Sequence, residues 1–377
     1  MTTIAKARPS PFTVTTPPAP VLTEARLVGL GTALPPHRLD RAASRARLAD
    51  LWGLTGARRA WWDRLVEGSG IDSRHAARPI EDVIDLSTAQ RMLVFAQEAP
   101  RLAERAAVAA LDTAGVSAGE ITDLIVVTCT GFAAPGIDVD LVNALGLRPS
   151  VRRLQVGFMG CFGAITGLRA AAGACSADPH GVALVVCVEL CTLHLRNDTT
   201  RENLVATALF GDGAAAAVVA GRDAPTRTTG FAAGRSCRIG LGTPGLLPHR
   251  RDAMTWTITD AGFAMTLSRD VPVAIRDEIA QMASAAGIDP AHSLFAIHPG
   301  GTAILDAVDA GLGLGGERGL RHSWSTLADP GNVSSGTALF VLSRLLAEEA
   351  QRADAAAPPI ELLAFGPGLT VEHLRIV

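Results

Sequence analysis

The chain has 377 residues, 48% of them hydrophobic and 19% charged, and a formal net charge of −3. Such length and apolar content give a globular chain with a large buried core and exclude a disordered one. The near-neutral balance, without a dense basic cluster, argues against a nucleic-acid partner.

Residues 1–24 are rich in Pro and Thr and lack an apolar core segment, which predicts a loose arm and not a signal peptide. Ala-rich Arg101 to Thr113 predicts a helix, stopped by Ala114-Gly115-Val116. Asp123 to Cys129, rich in β-branched residues, predicts a buried strand. Cys161 then opens a helix over Phe162 to Ala172, and Val182 to Glu189 is the next strand. The apolar run Val182 to Leu195 is too short to span a bilayer and carries Glu189 and His194, so no membrane span is expected. Leu209-Phe210-Gly211-Asp212-Gly213 is a loop leading into an apolar strand. In the second half Val273 to Ala285 predicts a helix, stopped at Ala286-Gly287-Ile288. The strand Ser293 to His298 follows. Asn332 opens a helix over Ser335 to Glu349, and Ile360 to Phe365 is a closing strand.

Helix, Ala-Gly turn, strand, helix start, helix and strand therefore occur twice. This predicts an α/β fold of two duplicated halves, 25–230 and 231–377, with buried, largely parallel strands. Cys161 and Asn332 hold corresponding helix starts, and His298 and Cys129 hold corresponding strand ends. Two halves facing each other would bring these positions to one interface.

The six cysteines are Cys129, Cys161, Cys175, Cys187, Cys191 and Cys237. Their spacing suits neither a disulfide framework nor a zinc site, so a reducing cytoplasm is expected. No HExxH or paired CxxC occurs, and no metal is expected. Cys175 and Cys187 read as small buried hydrophobes. Cys161 differs, because it sits in the Gly-flanked turn Gly157-Phe158-Met159-Gly160-Cys161-Phe162-Gly163, where a helix N-terminus favours a thiolate. His298 precedes Pro299-Gly300-Gly301, a sharp exit that leaves its imidazole facing a cavity; alone, it reads equally as a satisfied strand-end histidine. Asn332 alone reads as a helix N-cap, a role open also to Ser334 and Ser335. Taken together, thiol, imidazole and carboxamide supply a nucleophile and hydrogen-bond donors for an oxyanion or enolate. Phe365-Gly366-Pro367-Gly368 reads as a turn; without a Lys-Ser/Thr ending it is no phosphate loop.

Six segments in order, from about Leu27 to Val377, resemble the type III polyketide synthases, the chalcone synthase-like enzymes. They are Gly160-Cys161-Phe162, the Phe210 to Gly213 segment, Asp270-Val271-Pro272, His298 to Asp306, Gly331 to Ser335, and Phe365 to Thr370. The resemblance implies a thiolase-like fold with two αβαβα-type halves, a homodimer, and iterative condensation of coenzyme A thioesters with no metal or redox cofactor. It implies that Cys161 carries the acyl chain. His298 would pair with the thiolate and, with Asn332, bind the malonyl-CoA carbonyl. Phe210 would be a gatekeeper, and Ser334 would line the pocket. Met265 stands at the second gatekeeper, Trp256 at a cavity-floor glycine, and Cys129 and Cys191 at two pocket threonines. Trp256 would fill the space of an aromatic coumaroyl starter. Thr130, Ala134 and Cys191 fall at the spacings of residues lining a long acyl tunnel in mycobacterial alkylpyrone synthases. Each methylene buried there would contribute about 0.8 kcal/mol, which favours a fatty acyl-CoA starter and an alkyl pyrone or alkylresorcinol product. Arg64 resembles a position that contacts the CoA phosphates, while Trp61 and Gly68 replace neighbouring lysines. Four alternatives stand beside this reading. They are a ketoacyl synthase III-like enzyme fed by a carrier protein, a synthase joining two chains into a pyrone, a synthase making a small aromatic from malonyl-CoA alone, and a catalytically dead scaffold.

Overall fold

The computed structural model describes residues 21–226, 237–351 and 357–377. Residues 1–20 of the expected arm, and the expected boundary at 230, lie outside the described residues. The first half runs β1 (Val21–Ala33), β2 (His37–Asp40), α1 (Arg41–Leu51), α2 (Gly56–Glu67), β3 (Ser73–Ala76), α3 (Thr88–Ala114), β4 (Asp123–Thr128), α4 (Ile137–Leu145), β5 (Arg152–Gly157), α5 (Gly163–Ala177), β6 (Val182–Leu190), α6 (Arg201–Leu209) and β7 (Asp212–Ala220). The second runs β8 (Arg238–Leu241), β9 (Gly245–Leu246), β10 (Met254–Thr259), β11 (Gly262–Leu267), α7 (Val271–Ala285), β12 (Leu294–Ile297), α8 (Thr302–Leu312), α9 (Glu317–Ala328), α10 (Thr337–Glu349), β13 (Ile360–Gly366) and β14 (Thr370–Ile376).

One ten-stranded sheet crosses both halves in the order β12-β13-β14-β8-β1-β7-β6-β4-β5, with β9 beside β14. The duplication shows in this order. Outward from the junction, the first half reads β1-β7-β6-β4-β5 and the second reads β8-β14-β13-β12. In each, the first strand of the half pairs with its last. The halves meet where β1 pairs antiparallel with β8. That pairing includes Val21 and Leu22, so the last residues assigned to the arm instead extend β1, because β8 offers them a backbone ladder.

The expected parallel pairing holds only at the flanks, for β4 with β5 and β6 and for β12 with β13. The centre is antiparallel: β13 returns to β14 through a tight turn, and β6 returns to β7 through the longer connection that carries α6. The strands are still continuous apolar runs, since both faces are covered. Ile125, Val127, Val185 and Ala217 face a core shared with α5 and α10, whereas Leu124, Val126, Leu184 and Val218 face α3 and α4. Leu363 and Phe365 face α7 and α8. The layers thus read α, β, α, β, α.

The α3 helix begins at Thr88, well before the expected Arg101. Ser87 and Gln90 form a capping box, and the helix continues through Pro100. Burial of its alanine-rich face against β1 outweighs the hydrogen bond lost at the proline. Among the described residues no helix is long and apolar enough to cross a membrane.

Candidate active site

The chain's chemistry collects where the first turns of α5 and α10 meet. Cys161 lies in the 3-10 turn Gly160–Phe162, which feeds α5, and Ser334–Gly336 forms the matching turn before α10. The Phe365-Gly366-Pro367-Gly368 turn braces the Cys161 turn from the other half. A Cβ on Gly160 would collide with Pro367, and Gly160 also has φ +76°, so two constraints select glycine there. Cys129 supports the same turn, its Sγ accepting from Gly160 N at 3.0 Å.

Asn332 is fixed by its own loop. Its Oδ1 accepts from Ser334 N at 2.9 Å and from Thr337 Oγ1 at 3.4 Å, which leaves Nδ2 to donate. Its backbone bridges Phe210, and Gly211 N donates to Asn332 O at 2.9 Å, so the expected gatekeeper is joined to the Asn332 loop. Ser334 Oγ lies 3.9 Å from Cys161 Sγ. Burial pushes the Cys161 thiol up to about 12; hydrogen bonds from Ser334 and Asn332 oppose this, and Glu189 adds to it. His298 follows β12 and is only 1% exposed. Burial holds its imidazole neutral, with a pKa down to about 3. Both ring nitrogens are buried without a partner, so the expected thiol–imidazole pair is not hydrogen-bonded here.

A cavity of about 470 Å³ opens from Cys161 and is lined also by Cys129, Thr130, Cys191, Phe210, Trp256, Met265 and Ser334. A second chamber of about 510 Å³ shares Cys191, Phe210, Trp256 and Met265 with it. Trp256 and Met265 are cross-strand partners on the β10–β11 hairpin. Trp256 Nε1 donates to Cys129 O at 2.9 Å. A groove of about 940 Å³, walled by Gly300 and Gly301, reaches Met265 from outside. Phe210 therefore stands where the cavity meets the second chamber, and Met265 where both meet the groove.

The other expected positions divide. Thr130 and Cys191 reach the cavity, but Ala134 is exposed and lines neither chamber. Between them the space is filled. His194 stacks on Phe263 with centroids 3.9 Å apart, both rings meet Trp256 edge-on, and Phe95 packs against Gly131. Thr130 Oγ1 is committed to Glu189 at 2.6 Å. Arg64 sits on α2, exposed, and does not line the groove.

Sequence reasoning missed Glu189 and His194. Glu189 is fully buried and accepts from Thr128, Cys129 N, Thr130 and Ser335, tying the β4 end to the α10 turn. Burial raises its pKa against those donors. A carboxylate inside a valine-rich strand was the available signal, since buried charges are rare without dedicated partners. His194 accepts from Phe263 N at 3.2 Å on Nδ1, so Nε2 donates to Thr130 O at 2.7 Å. Among the described residues no cluster of His, Cys, Asp or Glu could hold a metal ion.

Residues 72–224 match the N-terminal domain of the chalcone and stilbene synthases, and residues 239–377 match the C-terminal domain. The chain is 35% identical over 351 residues to a 1,3,6,8-tetrahydroxynaphthalene synthase of Streptomyces peucetius subsp. caesius, covering 92% of this chain and 91% of that protein. It is 33% identical over 371 residues to the alpha-pyrone synthesis polyketide synthase-like Pks18 of Mycobacterium tuberculosis, covering 95% and 92%. The crystal structure of PKS-I from the brown alga Ectocarpus siliculosus superposes with a TM-score of 0.85 at 28% identity, covering 94% of this chain and 98% of that one.

Proposed function

The chain belongs to the chalcone and stilbene synthase family, the type III polyketide synthases of thiolase-like fold, and so is an acyl-CoA-dependent condensing enzyme; from that premise we propose that it extends an acyl group on Cys161 by iterative decarboxylative condensation with malonyl-CoA. The observation that carries this is the thiol of Cys161, flanked by Asn332 and Ser334 at the foot of an apolar cavity. As the pair forms, His298 takes the Cys161 proton. The thiolate attacks the starter thioester, and coenzyme A leaves with that proton. Malonyl-CoA then places its thioester carbonyl at Asn332 Nδ2 and His298. Loss of CO2 breaks the carboxyl C–C bond, and its electron pair becomes an enolate held by those donors. The enolate carbon attacks the Cys161 thioester, which frees the thiolate and lengthens the chain by two carbons. Nothing in this sequence needs a metal or redox cofactor, because decarboxylation itself generates the carbanion.

Two readings of starter and product follow. A fatty acyl-CoA starter, giving an alkyl pyrone or alkylresorcinol, is supported by Thr130 and Cys191 on the cavity wall and by similarity to an α-pyrone synthase. A compact aromatic made from malonyl-CoA alone is favoured by the His194–Phe263–Trp256 wall and by Ala134 lying away from the cavity. On geometry we favour the compact product. A homodimer is part of the proposal. β5 is an open sheet edge, and beside it Leu154, Phe158 and Phe132 are 46%, 43% and 50% exposed, an apolar strip that a second copy would cover.

A mass-spectrometric product screen tests the proposal, using malonyl-CoA alone and with starters from acetyl-CoA to a long-chain acyl-CoA. We expect a malonyl-only aromatic. Pyrone masses that peak with long starters would instead support the tunnel, and absence of any product would remove the condensation itself.

A further inference from the structure

One buried cation beside the site takes no part in the chemistry described so far. Arg74 lies on β3 and is 7% exposed. Burial lowers its pKa to about 10, with Asp212 opposing, so the guanidinium is still charged at neutral pH. A charge kept in a core costs free energy, and its partners show what it does there. Both partners are main-chain carbonyls at the end of α6. Arg74 Nη1 donates to Phe210 O at 2.7 Å and to Thr207 O. Carbonyls at a helix C-terminus lack partners inside the helix and carry its negative pole, so a guanidinium suits them. Asn332 takes a carbonyl between those two: its N–H donates to Leu209 O at 3.3 Å, and Gly211 N returns a bond to Asn332 O at 2.9 Å. The end of α6 is therefore held jointly by Arg74 and the Asn332 loop.

The stem of Arg74 packs against both partners of that bridge. A Cβ on Gly331, which has φ +84°, would come within 2.9 Å of Arg74 Cγ, and one on Gly211 would lie 3.1 Å from Arg74 Cβ. Gly211 follows Phe210, and Gly331 precedes Asn332. Beyond Gly211 the segment is anchored by Asp212, whose carboxylate accepts from Ala77 N at 2.8 Å and from Thr192 N and Oγ1 at 2.7 Å each. What Arg74 sets is the stretch between that anchor and α6.

We propose that Arg74 is a positioning residue for the condensation: by holding the Thr207 and Phe210 carbonyls it fixes the backbone bridge between Phe210 and Asn332, and so aims the Asn332 carboxamide at the malonyl thioester carbonyl. The proposal rests on the reading of Asn332 given above and deepens it. Ser334 N and Thr337 Oγ1 orient the carboxamide within its loop, and Arg74 orients the loop. It acts through main-chain atoms and not on the reacting groups. Nη1 carries two N–H groups in one plane, one for each carbonyl, a geometry that a lysine matches only in part.

Steady-state decarboxylation of malonyl-CoA, read as CO2 release, tests this in a double-mutant cycle of Arg74→Met and Asn332→Ala, with Arg74→Lys beside it. Arg74→Met should lower kcat about 10–100-fold, the scale of a misplacement near 1 Å, and leave KM within about twofold. In the Asn332→Ala background the same change should cost less than about twofold, because no carboxamide remains to be aimed. Arg74→Lys should recover part of the lost kcat. Wild-type kcat in Arg74→Met would overturn the proposal, as would an equal loss in both backgrounds, which is what general damage to the fold gives. If Arg74→Met does not fold, Arg74→Lys decides: a kcat loss of about threefold or more that disappears beside Asn332→Ala supports the proposal, and no loss or an equal one overturns it. Full decarboxylation in Asn332→Ala with Arg74 intact would instead overturn the part given to Asn332 in the condensation, an outcome separate from the failure of Arg74→Met to change kcat.

Discussion

Cys161 shares its cavity with two other thiols, Cys129 and Cys191, and its turn is what sets it apart. Burial raises all three; side-chain hydrogen bonds from Ser334 and Asn332 oppose this at Cys161, and the Gly160 amide opposes it at Cys129. Cys161→Ala should abolish condensation and keep part of malonyl-CoA decarboxylation, since His298 and Asn332 remain. Asn332→Ala should lower both by about 10²–10³-fold, the loss typical of a missing oxyanion donor. Product and CO2 release, measured together, separate the two outcomes. The turns that carry these three residues were legible because each is a Gly or Pro/Gly segment beside an apolar element. The placing of Thr130, Ala134 and Cys191 relative to one another was not, because spacing along a loop does not reveal where a side chain points or that His194 and Phe263 stack beside Trp256. Protons are linked to stability at this scale too. Burial lowers His194 and His298 from 6.5 to about 3, so the unfolded chain binds more protons between those pH values. Stability must therefore fall as pH drops below about 6.5. Asp212, raised by burial from 3.8 to about 6, and Glu189, also raised by burial, oppose this, while His322 and Glu361, both lowered, add to it. Urea midpoints should be lower at pH 4.5 than at pH 7, and His194→Gln should reduce the difference.

Packing between elements depends on small residues. The face of α3 that meets β1 includes Ala106 and Ala110, and a Cβ on Gly31 would overlap the Ala106 carbonyl oxygen and the Ala110 amide. Both obstacles are backbone and cannot rotate away. Gly31→Ala should therefore cost about 1–3 kcal/mol, the usual penalty of overpacking, read as a drop in denaturant midpoint at unchanged m-value. Helix and strand existence was largely readable from the apolar runs and from stops such as Ala114-Gly115. The start of α3 was not, because Pro100 signals a break that tertiary burial overrides. Strand direction was also hidden, since a strand covered on both faces carries the same apolar run whether its neighbour is parallel or antiparallel.

Across the whole molecule, the repeated order of elements appears again in the sheet, where each half pairs its first strand with its last, and the Cys161 turn and the Ser334 turn precede α5 and α10. That the halves share one continuous sheet was not legible, because β1 and β8 pair across more than two hundred residues of chain. The open β5 edge is the main surface feature left over. Leu154→Arg should convert a dimer to monomers in sedimentation velocity while leaving the circular dichroism spectrum unchanged. A wild type that sediments as a monomer would instead show that the strip has another use.

The most direct test of the account is intact-protein and peptide mass spectrometry after incubation with carbon-13-labelled malonyl-CoA. The account predicts a labelled acyl or polyketide thioester on the peptide bearing Cys161, absent from Cys161→Ala. Label on Cys129 or Cys191 with Cys161 unmodified, or no covalent adduct in a protein that turns over malonyl-CoA, would contradict it.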